Sequence, residues 1–326
     1  MFVNLIVSLG YIFFGLVTGY VIQQLEKRKI IHLPISLEKL RKLLQKIGLL
    51  FFMPISFIGA LWIVKIDNLK IIALPFLGIF ALLMGGILGF ASSKLFQLNQ
   101  KDTGSMFICG SFTNIGSIGG LVCYLFLGEK GFAFFPIYKL FEQVIYYAVG
   151  FPVAKSFSND IIKKEKFTSR LKKVFMDIFV IVALASIIIG AFFNLSGIER
   201  PEFYKNINAI FIPGGTVILL ISIGLAMKFR KVKKYIKECI TISIIKFILM
   251  PLIIAAIAIF LGYGVIEGGL PLKVVIILSS MPVAFSALVP ASIYDLNLDL
   301  ANSCWLVTTL SLIIILPLLF YVIRLI

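Results

Sequence analysis

The residues best suited to bind a small polar molecule cluster around Asn114, within the apolar run 104–127. An amide side chain placed in hydrocarbon needs a hydrogen-bond partner, so its presence there requires an explanation. The neighbouring glycines weaken a helix, and the neighbouring hydroxyls can donate hydrogen bonds. These neighbours are Ser111, Thr113, Gly116, Gly119 and Gly120. The cluster predicts a helix that is broken near mid-membrane and binds a ligand there. Close packing of small residues against another helix is the alternative.

A second apolar run, 274–294, contains Ser280, Pro282, Ser286 and Pro290. Each proline removes a backbone donor and clashes with the preceding turn, which predicts a second broken helix; a simple kink is the alternative. The segment after each break would direct its N-terminus, the positive end of its dipole, toward the middle of the membrane. Two such ends, together with free amides, Asn114 and nearby hydroxyls, predict a site for an anion such as a carboxylate.

Three charged residues fall inside apolar runs, where charge is costly and indicates function by default. Lys139 and Glu142 are three residues apart and share a helical face. They form either a structural ion pair or part of a substrate-binding or proton-coupling element. Gln143 is a neighbouring polar candidate. Lys246 is expected either to neutralise Glu142 or to attract an anion.

The composition identifies the kind of elements that must position these residues. Of the 326 residues, 60% are hydrophobic and only 14% are charged, and the mean hydropathy is +1.07. Soluble domains are about half apolar and a quarter charged, so soluble, disordered and disulfide-scaffold classes are excluded. The net charge of +16 is interpreted as loop charge facing an anionic inner leaflet, not as a nucleic-acid surface. One histidine and four cysteines without a CxxC pair predict neither a metal site nor a cofactor.

The chain is predicted to be an all-α integral membrane protein with ten transmembrane helices. The apolar runs behind this prediction are 2–22, 43–64, 71–93, 104–127, 132–154, 174–195, 207–227, 239–261, 274–294 and 302–323. Residues 1–154 would form a first five-helix repeat, 155–173 a basic cytoplasmic linker, and 174–326 a second five-helix repeat. An odd number of helices per half inverts the second repeat relative to the first. Similarly placed prolines support the repeat, and chance alignment of apolar runs is the alternative.

The distribution of basic residues predicts the orientation. Most Lys and Arg residues lie in the connections after the first, third, fifth, seventh and ninth runs. By the positive-inside rule these connections are cytoplasmic, and both termini are extracytoplasmic. No basic segment precedes the first run, so that run is expected to remain as a helix and not to be cleaved as a signal peptide. The composition suits a cell membrane of a prokaryote.

Several motifs occur in an order typical of one transporter family. They are Asn114-x-Gly116-x-x-Gly119 followed by Gly128, Met281-Pro282 followed by Tyr294 and Asp295, and the prolines Pro54 and Pro317. By these motifs the sequence resembles the auxin efflux carrier family, which includes plant auxin exporters and bacterial malonate or malate carriers. The resemblance implies a fold like that of bile-acid symporters and sodium–proton antiporters. In that fold, helices 1, 2, 6 and 7 would form a scaffold, and helices 3–5 and 8–10 a transport unit. Leu121 stands where the family commonly has a proline, so the first break is expected to rely on the glycines alone.

The expected function is secondary transport of a small organic anion by alternating access, with the substrate at the crossing of the fourth and ninth helices. No GxxxxGK[ST] motif is present, so we expect facilitated diffusion or proton coupling through Glu142 in place of ATP hydrolysis. A sodium-coupled carrier of the bile-acid-symporter type and a non-transporting sensor or channel are the alternatives. A membrane enzyme is not expected, because no catalytic set of residues lies inside the membrane. The expected partners are the substrate and the lipid bilayer; a homodimer is left open.

Overall fold

The computed structural model describes residues 2–64, 69–158, 174–227 and 232–326, together with Ser169, Lys172 and Phe229. In these residues the chain is helical and forms no strand, apart from an isolated antiparallel bridge between Thr113 and Val283. The prediction of an all-α protein is therefore confirmed for the part of the chain described. The predicted linker 155–173 and the loop cations Lys228, Arg230 and Lys231 lie largely outside it.

Within the described residues, eight helical segments are long and apolar enough to cross a membrane. They are Leu5–Lys27, Leu37–Ile63, Leu69–Leu95, Ile115–Ser156, Ile178–Leu195, Phe203–Gly224, Val232–Phe260 and Leu298–Leu325. Ten full spans are not confirmed, because the predicted runs 104–127 and 274–294 are each divided. The pieces before the two breaks have 12 and 10 residues, whereas a span needs about 20.

The individual helices are numbered here in chain order. They are α1 (Phe2–Lys27), α2 (Leu37–Ile47), α3 (Met53–Ile63), α4 (Leu74–Leu95), α5 (Gln100–Ser111), α6 (Gly120–Tyr138), α7 (Glu142–Ile145), α8 (Phe151–Ser156), α9 (Ile178–Leu195), α10 (Phe203–Gly224), α11 (Ile236–Ile244), α12 (Met250–Phe260), α13 (Leu270–Ser279), α14 (Leu288–Ile293) and α15 (Leu298–Leu325). Five-residue π-helical turns precede α3, α6, α8 and α12.

The chain divides into two compact units. Unit 1 comprises Met1–Asp67, Ser117–Pro136 and Ile178–Lys228, and unit 2 comprises Asn68–Gly116, Ile137–Asp177 and Phe229–Ile326. The first break described below lies at the end of the first segment of unit 2.

Glycines set the closest helix contact in unit 1. A Cβ atom on Gly19 of α1 would overlap the carbonyl of Ile221 in α10, and one on Gly224 would overlap the carbonyl of Leu16. The two backbones therefore approach more closely than side chains would allow, which is a common way to join helices in a membrane. Next to this contact, Gln23 Nε2 donates to the carbonyl of Leu225 at 2.6 Å, which satisfies a buried amide.

Polar side chains in unit 1 secure the end of α3. The amide of Asn194, near the end of α9, donates to the carbonyls of Leu61 and Trp62. The indole of Trp62 stacks on Phe193 with ring centroids 4.1 Å apart. Carbonyls in the last turn of a helix have no partner within that helix, so these contacts satisfy groups that would otherwise be orphaned.

Unit 2 is built on a similar glycine contact between α4 and α5. A Cβ atom on Gly85 would overlap the carbonyl of Gly110, and a Cβ atom on Gly110 would overlap the carbonyl of Gly85. The start of α5 is fixed by Asn99, whose side chain accepts from the N–H of Asp102 at 2.9 Å. The Asp102 carboxylate in turn accepts from Asn297, which caps α15 through the N–H of Leu300 at 3.0 Å. These contacts position both ends of α5 and so place the break that follows it.

Candidate functional site

The first break begins directly after α5. Phe112 has φ −77° and ψ 118°, and the chain resumes helical geometry only at Ile115. We expected Gly116, Gly119 and Gly120 to cause this break, and that expectation is wrong. Gly116 and Gly119 lie in the π-helical turn after the break, and Gly120 begins α6. The extended residues are 112–114, and the contacts that hold them come from elsewhere in unit 2.

The second break begins after α13. Ser280 leaves helical geometry, residues 281–284 are non-helical, and a 3₁₀ turn at Phe285–Ala287 leads into α14. Pro282 lies in the non-helical segment as predicted. Pro290 causes no second interruption, because it lies in the first turn of α14, where a helix does not need its N–H. With six residues, α14 is under two turns and does not supply the second helix dipole that we expected.

The two non-helical segments pair with each other. The N–H of Asn114 donates to the carbonyl of Pro282 at 2.8 Å, and the N–H of Ala284 donates to the carbonyl of Phe112 at 3.0 Å. Between these bonds lies the bridge from Thr113 to Val283. Each segment thus supplies the hydrogen bonds that the other loses by leaving the helix, which is how irregular backbone is tolerated at membrane depth.

A tyrosine and a carboxylate extend this crossing. The Tyr146 hydroxyl accepts from the N–H of Thr113 at 3.1 Å and lies 3.1 Å from Glu142 Oε1 and 3.3 Å from the carbonyl of Thr113. Its single proton can serve either of these two acceptors. The Tyr146 ring stacks on Phe112, with centroids 3.9 Å apart and planes 4° from parallel. The hydroxyl therefore links the extended backbone to a buried acid.

Two cations and one acid surround the crossing. Lys139 Nζ lies 3.3 Å from Glu142 Oε2, and a Cβ atom on Gly116 would lie 3.1 Å from the same Nζ. The sequence offers two expectations for Lys246, and one of them, that it neutralises Glu142, is wrong. Its Nζ donates to the carbonyl of Gly110 and to Thr113 Oγ1, both at 2.6 Å. Glu142 and Lys246 are 6% and 1% exposed, whereas Lys139 is 21% exposed.

Comparison with known protein families matches residues 35–321 to the family described as membrane transport protein. The match covers most of the chain. The chain belongs to the membrane transport protein family. This is the auxin efflux carrier family, which the sequence resembles through its ordered motifs.

Two similar proteins are each described as an uncharacterized transporter. An uncharacterized transporter of Methanocaldococcus jannaschii is 28% identical over 256 residues, which are 76% of this chain and 78% of the relative. An uncharacterized transporter of Methanothermobacter thermautotrophicus is 30% identical over 136 residues, which are 41% of this chain and 43% of that relative. The chain thus spans less than half of the second relative in this match. Together with the family, these relatives identify the chain as a membrane transporter.

Within the described part of the chain, some predicted site residues of this transporter make no side-chain hydrogen bond to the paired segments. Ser280 Oγ donates to the carbonyl of Ile276 in its own helix at 2.7 Å. Gln143 is exposed, whereas the adjacent Glu142 is buried. Ser286 is half-buried in the 3₁₀ turn. Gly119 and Gly120 belong to unit 1.

Other predicted residues of the transporter do meet within unit 2: Ser111, Thr113, Asn114, Gly116, Lys139, Glu142, Lys246 and Pro282. Ser111 is buried and joins through its carbonyl, which accepts from Thr113 Oγ1 at 3.4 Å. Asn114 is 5% exposed. These residues form one continuous polar cluster, which we call the crossing cluster.

Sequence reasoning missed Tyr146 and Thr308. Tyr146 follows Glu142 by one helical turn, and that spacing could have indicated a polar pair. Thr308 accepts from the N–H of Val283 at 3.2 Å. Nothing in the sequence around Thr308 indicates this contact, because its partner lies in a different, non-helical segment.

Proposed function

We propose that this transporter carries a small organic anion with a carboxylate group, bound at the crossing cluster of unit 2. The observation that carries the proposal is the local balance of charge. Lys139 and Lys246 supply two cations, whereas Glu142 supplies one carboxylate. One carboxylate on the ligand restores neutrality while Glu142 is ionised, and a dicarboxylate does so when Glu142 is protonated; buried charge is stable when it is paired.

Lys139 and Asn114 are the proposed contacts of the substrate. Lys139 is the most exposed of the three charged groups, so its ammonium is accessible. The absence of a side chain at Gly116 leaves room beside it, since a Cβ there would crowd the ammonium. Ser111, Thr113, Ser280 and Ser286 remain proposed as further hydrogen-bonding groups. Thr113 and Ser280 would donate to a substrate by exchanging the bonds that they make to the carbonyls of Ser111 and Ile276. Pro282 is proposed to shape the site through the backbone. Gly119 and Gly120 remain predicted site residues from the sequence.

Alternating access is proposed as the mechanism, with the crossing cluster in the moving part. Unit 2 contains the predicted helices 3, 5, 8, 9 and 10 and the first half of helix 4. Unit 1 contains the predicted helices 1, 2, 6 and 7 and residues 117–136. This division supports unit 2 as the transport unit and unit 1 as the scaffold. The inverted five-plus-five repeat, with repeats over 1–154 and 174–326, remains part of the proposal, as does an extracytoplasmic location of both termini.

Proton coupling is proposed to act through Glu142. The carboxylate contacts both a cation, Lys139, and the hydroxyl of Tyr146. Protonation of Glu142 would release Lys139 from its ion pair and free it to bind a carboxylate. Substrate and proton would then bind together, which is the requirement of a symporter. Gln143, which is exposed, remains a supporting candidate only.

Counterflow tests the proposal. The purified protein is reconstituted in vesicles loaded with an unlabelled carboxylate, and uptake of the labelled form is followed. We expect a transient accumulation above equilibrium with a mono- or dicarboxylate or an indole acid. Absence of counterflow with every acid, in vesicles that contain folded protein, would favour a sensor. Counterflow that disappears when potassium replaces sodium would favour the sodium-coupled carrier.

A further inference from the structure

Lys246 is a buried cation in an unusual backbone setting. Its side chain is 1% exposed, and the residue lies in the π-helical turn Ile245–Leu249 between α11 and α12. Such turns add one residue to a helix and often occur at functional sites. A charge at this depth is stable only if nearby groups replace its lost hydration.

Two oxygen atoms replace that hydration. The ammonium donates to the carbonyl of Gly110 and to Thr113 Oγ1, both at 2.6 Å. Gly110 lies in the last turn of α5, whose carbonyls have no partner within the helix. These carbonyls also carry the negative end of the helix dipole. Carbonyls at the end of a broken helix, together with side-chain oxygens, are the ligands that monovalent cations use in transporters.

No acid shares this site. In the described part of the chain, no carboxylate oxygen lies within 4.0 Å of Lys246 Nζ. Glu142 is engaged by Lys139 and Tyr146. The ammonium of Lys246 is therefore solvated by a helix end and a hydroxyl, as a bound ion would be, and its net positive charge stays in the crossing cluster.

We propose that the Lys246 ammonium is a tethered cation that fills a monovalent-cation site formed by the carboxyl end of α5 and Thr113. The site fixes Thr113, and through it the extended segment 112–114, without a free ion. If the ammonium is removed and its space left open, the site takes a small monovalent cation or a primary alkylammonium. The inference concerns the stability of unit 2 and holds whether or not the substrate is a carboxylate.

Thermal unfolding of two variants tests the proposal. Lys246→Ala opens the site, and Lys246→Met keeps it filled but uncharged. Unfolding temperatures are compared in choline, sodium and propylammonium chloride at equal ionic strength. We expect the wild type to unfold at the same temperature in all three salts. We expect Lys246→Ala to unfold several degrees lower in choline and to recover, saturably, in propylammonium or sodium. We expect Lys246→Met to be destabilised in all three salts alike.

Any of four results would overturn the proposal. One is that Lys246→Ala does not respond to either cation. Another is that sodium raises the unfolding temperature of the wild type as much as that of Lys246→Ala. The third is that Lys246→Met is as stable as the wild type. If Lys246→Ala can be purified only in sodium, we expect its exchange into choline to unfold it. The fourth result is that the same fraction of folded Lys246→Ala is lost in sodium as in choline. Carboxylate protection of the wild type is measured separately, so failure of the proposed substrate is distinguishable from failure of the cation site.

Discussion

Asn114 holds the crossing by its backbone, and its side chain is a proposed contact of the substrate. Its N–H is already used by the carbonyl of Pro282, so substitution of the side chain leaves the backbone bond intact. We expect Asn114→Ala to abolish carboxylate counterflow while the protein stays folded in the membrane. Asn206→Ala, an exposed amide of unit 1, is the matched control and should transport normally. Wild-type rates in Asn114→Ala would remove this residue from the site.

Glu142 is the proposed proton-coupling residue. Glu142→Gln keeps the shape of the side chain but cannot ionise, so Lys139 loses its partner in every state. We expect uptake by Glu142→Gln to be independent of pH. Glu129→Gln is the control, because Glu129 is a poorly exposed acid of unit 1 that is paired with Arg200 at 2.7 Å. A pH dependence that survives in Glu142→Gln and disappears in Glu129→Gln would move the coupling group to unit 1.

The sequence predicted the members of the crossing cluster better than their contacts. Asn114, Glu142 and Lys246 are recognisable in the sequence as candidate site residues, because polar groups inside apolar runs are costly. Their partners could not be predicted, since Gly110 and Thr113 are far from Lys246 in sequence. The ion pair of Lys139 with Glu142 was predictable, because residues three apart on a helix are neighbours.

The second break contains Pro282, and we expect the break to depend on this residue. Alanine would restore an amide donor and allow α13 to continue past Ser279, which would weaken its pairing with residues 112–114. We expect Pro282→Ala to slow transport several-fold with little loss of folded protein. Pro290→Ala is the matched control and should change the rate little, because Pro290 lies in the first turn of α14. An unaltered rate and affinity in Pro282→Ala would mean that other residues set the break.

The contact between α4 and α5 depends on Gly110. A methyl group there would overlap the carbonyl of Gly85, so the two helices must separate. We expect Gly110→Ala to lower the free energy of unfolding by roughly 1–3 kcal/mol, as overpacking does. Gly10→Ala is the control: a Cβ there meets nothing within 4 Å, and alanine favours a helix by about 0.5–1 kcal/mol. Equal unfolding in denaturant for both variants would contradict the close contact.

The breaks show what composition can and cannot predict. Glycines and prolines at mid-run predicted two interrupted helices in the correct runs. The first break was misplaced, because Phe112 leaves the helix to pair with Ala284 and to stack on Tyr146. Phenylalanine does not break a helix locally as glycine and proline do, so the position of the break follows from tertiary contacts.

At the scale of the whole molecule, composition and motif order were sufficient to identify the class of protein. The apolar content predicted an all-α membrane protein, and the ordered motifs indicated the family to which residues 35–321 belong. The inverted repeat and the orientation stay predictions. They rest on the count of runs and on loop charges, and several of those charges fall outside the described residues.

Ligand-dependent thermal stability is the most direct test of the central claim, a carboxylate site at the crossing cluster. The purified protein is heated with mono- and dicarboxylates and indole acids, with and without sodium. A ligand that binds the folded state stabilises it by about 2.7 kcal/mol at a hundredfold excess over its dissociation constant. We expect at least one acid to raise the unfolding temperature of the wild type and of Asn206→Ala but not that of Asn114→Ala. We expect the same result in the absence of sodium. Equal protection of Asn114→Ala, or no protection of the folded wild type by any acid, would contradict a carboxylate site at the crossing.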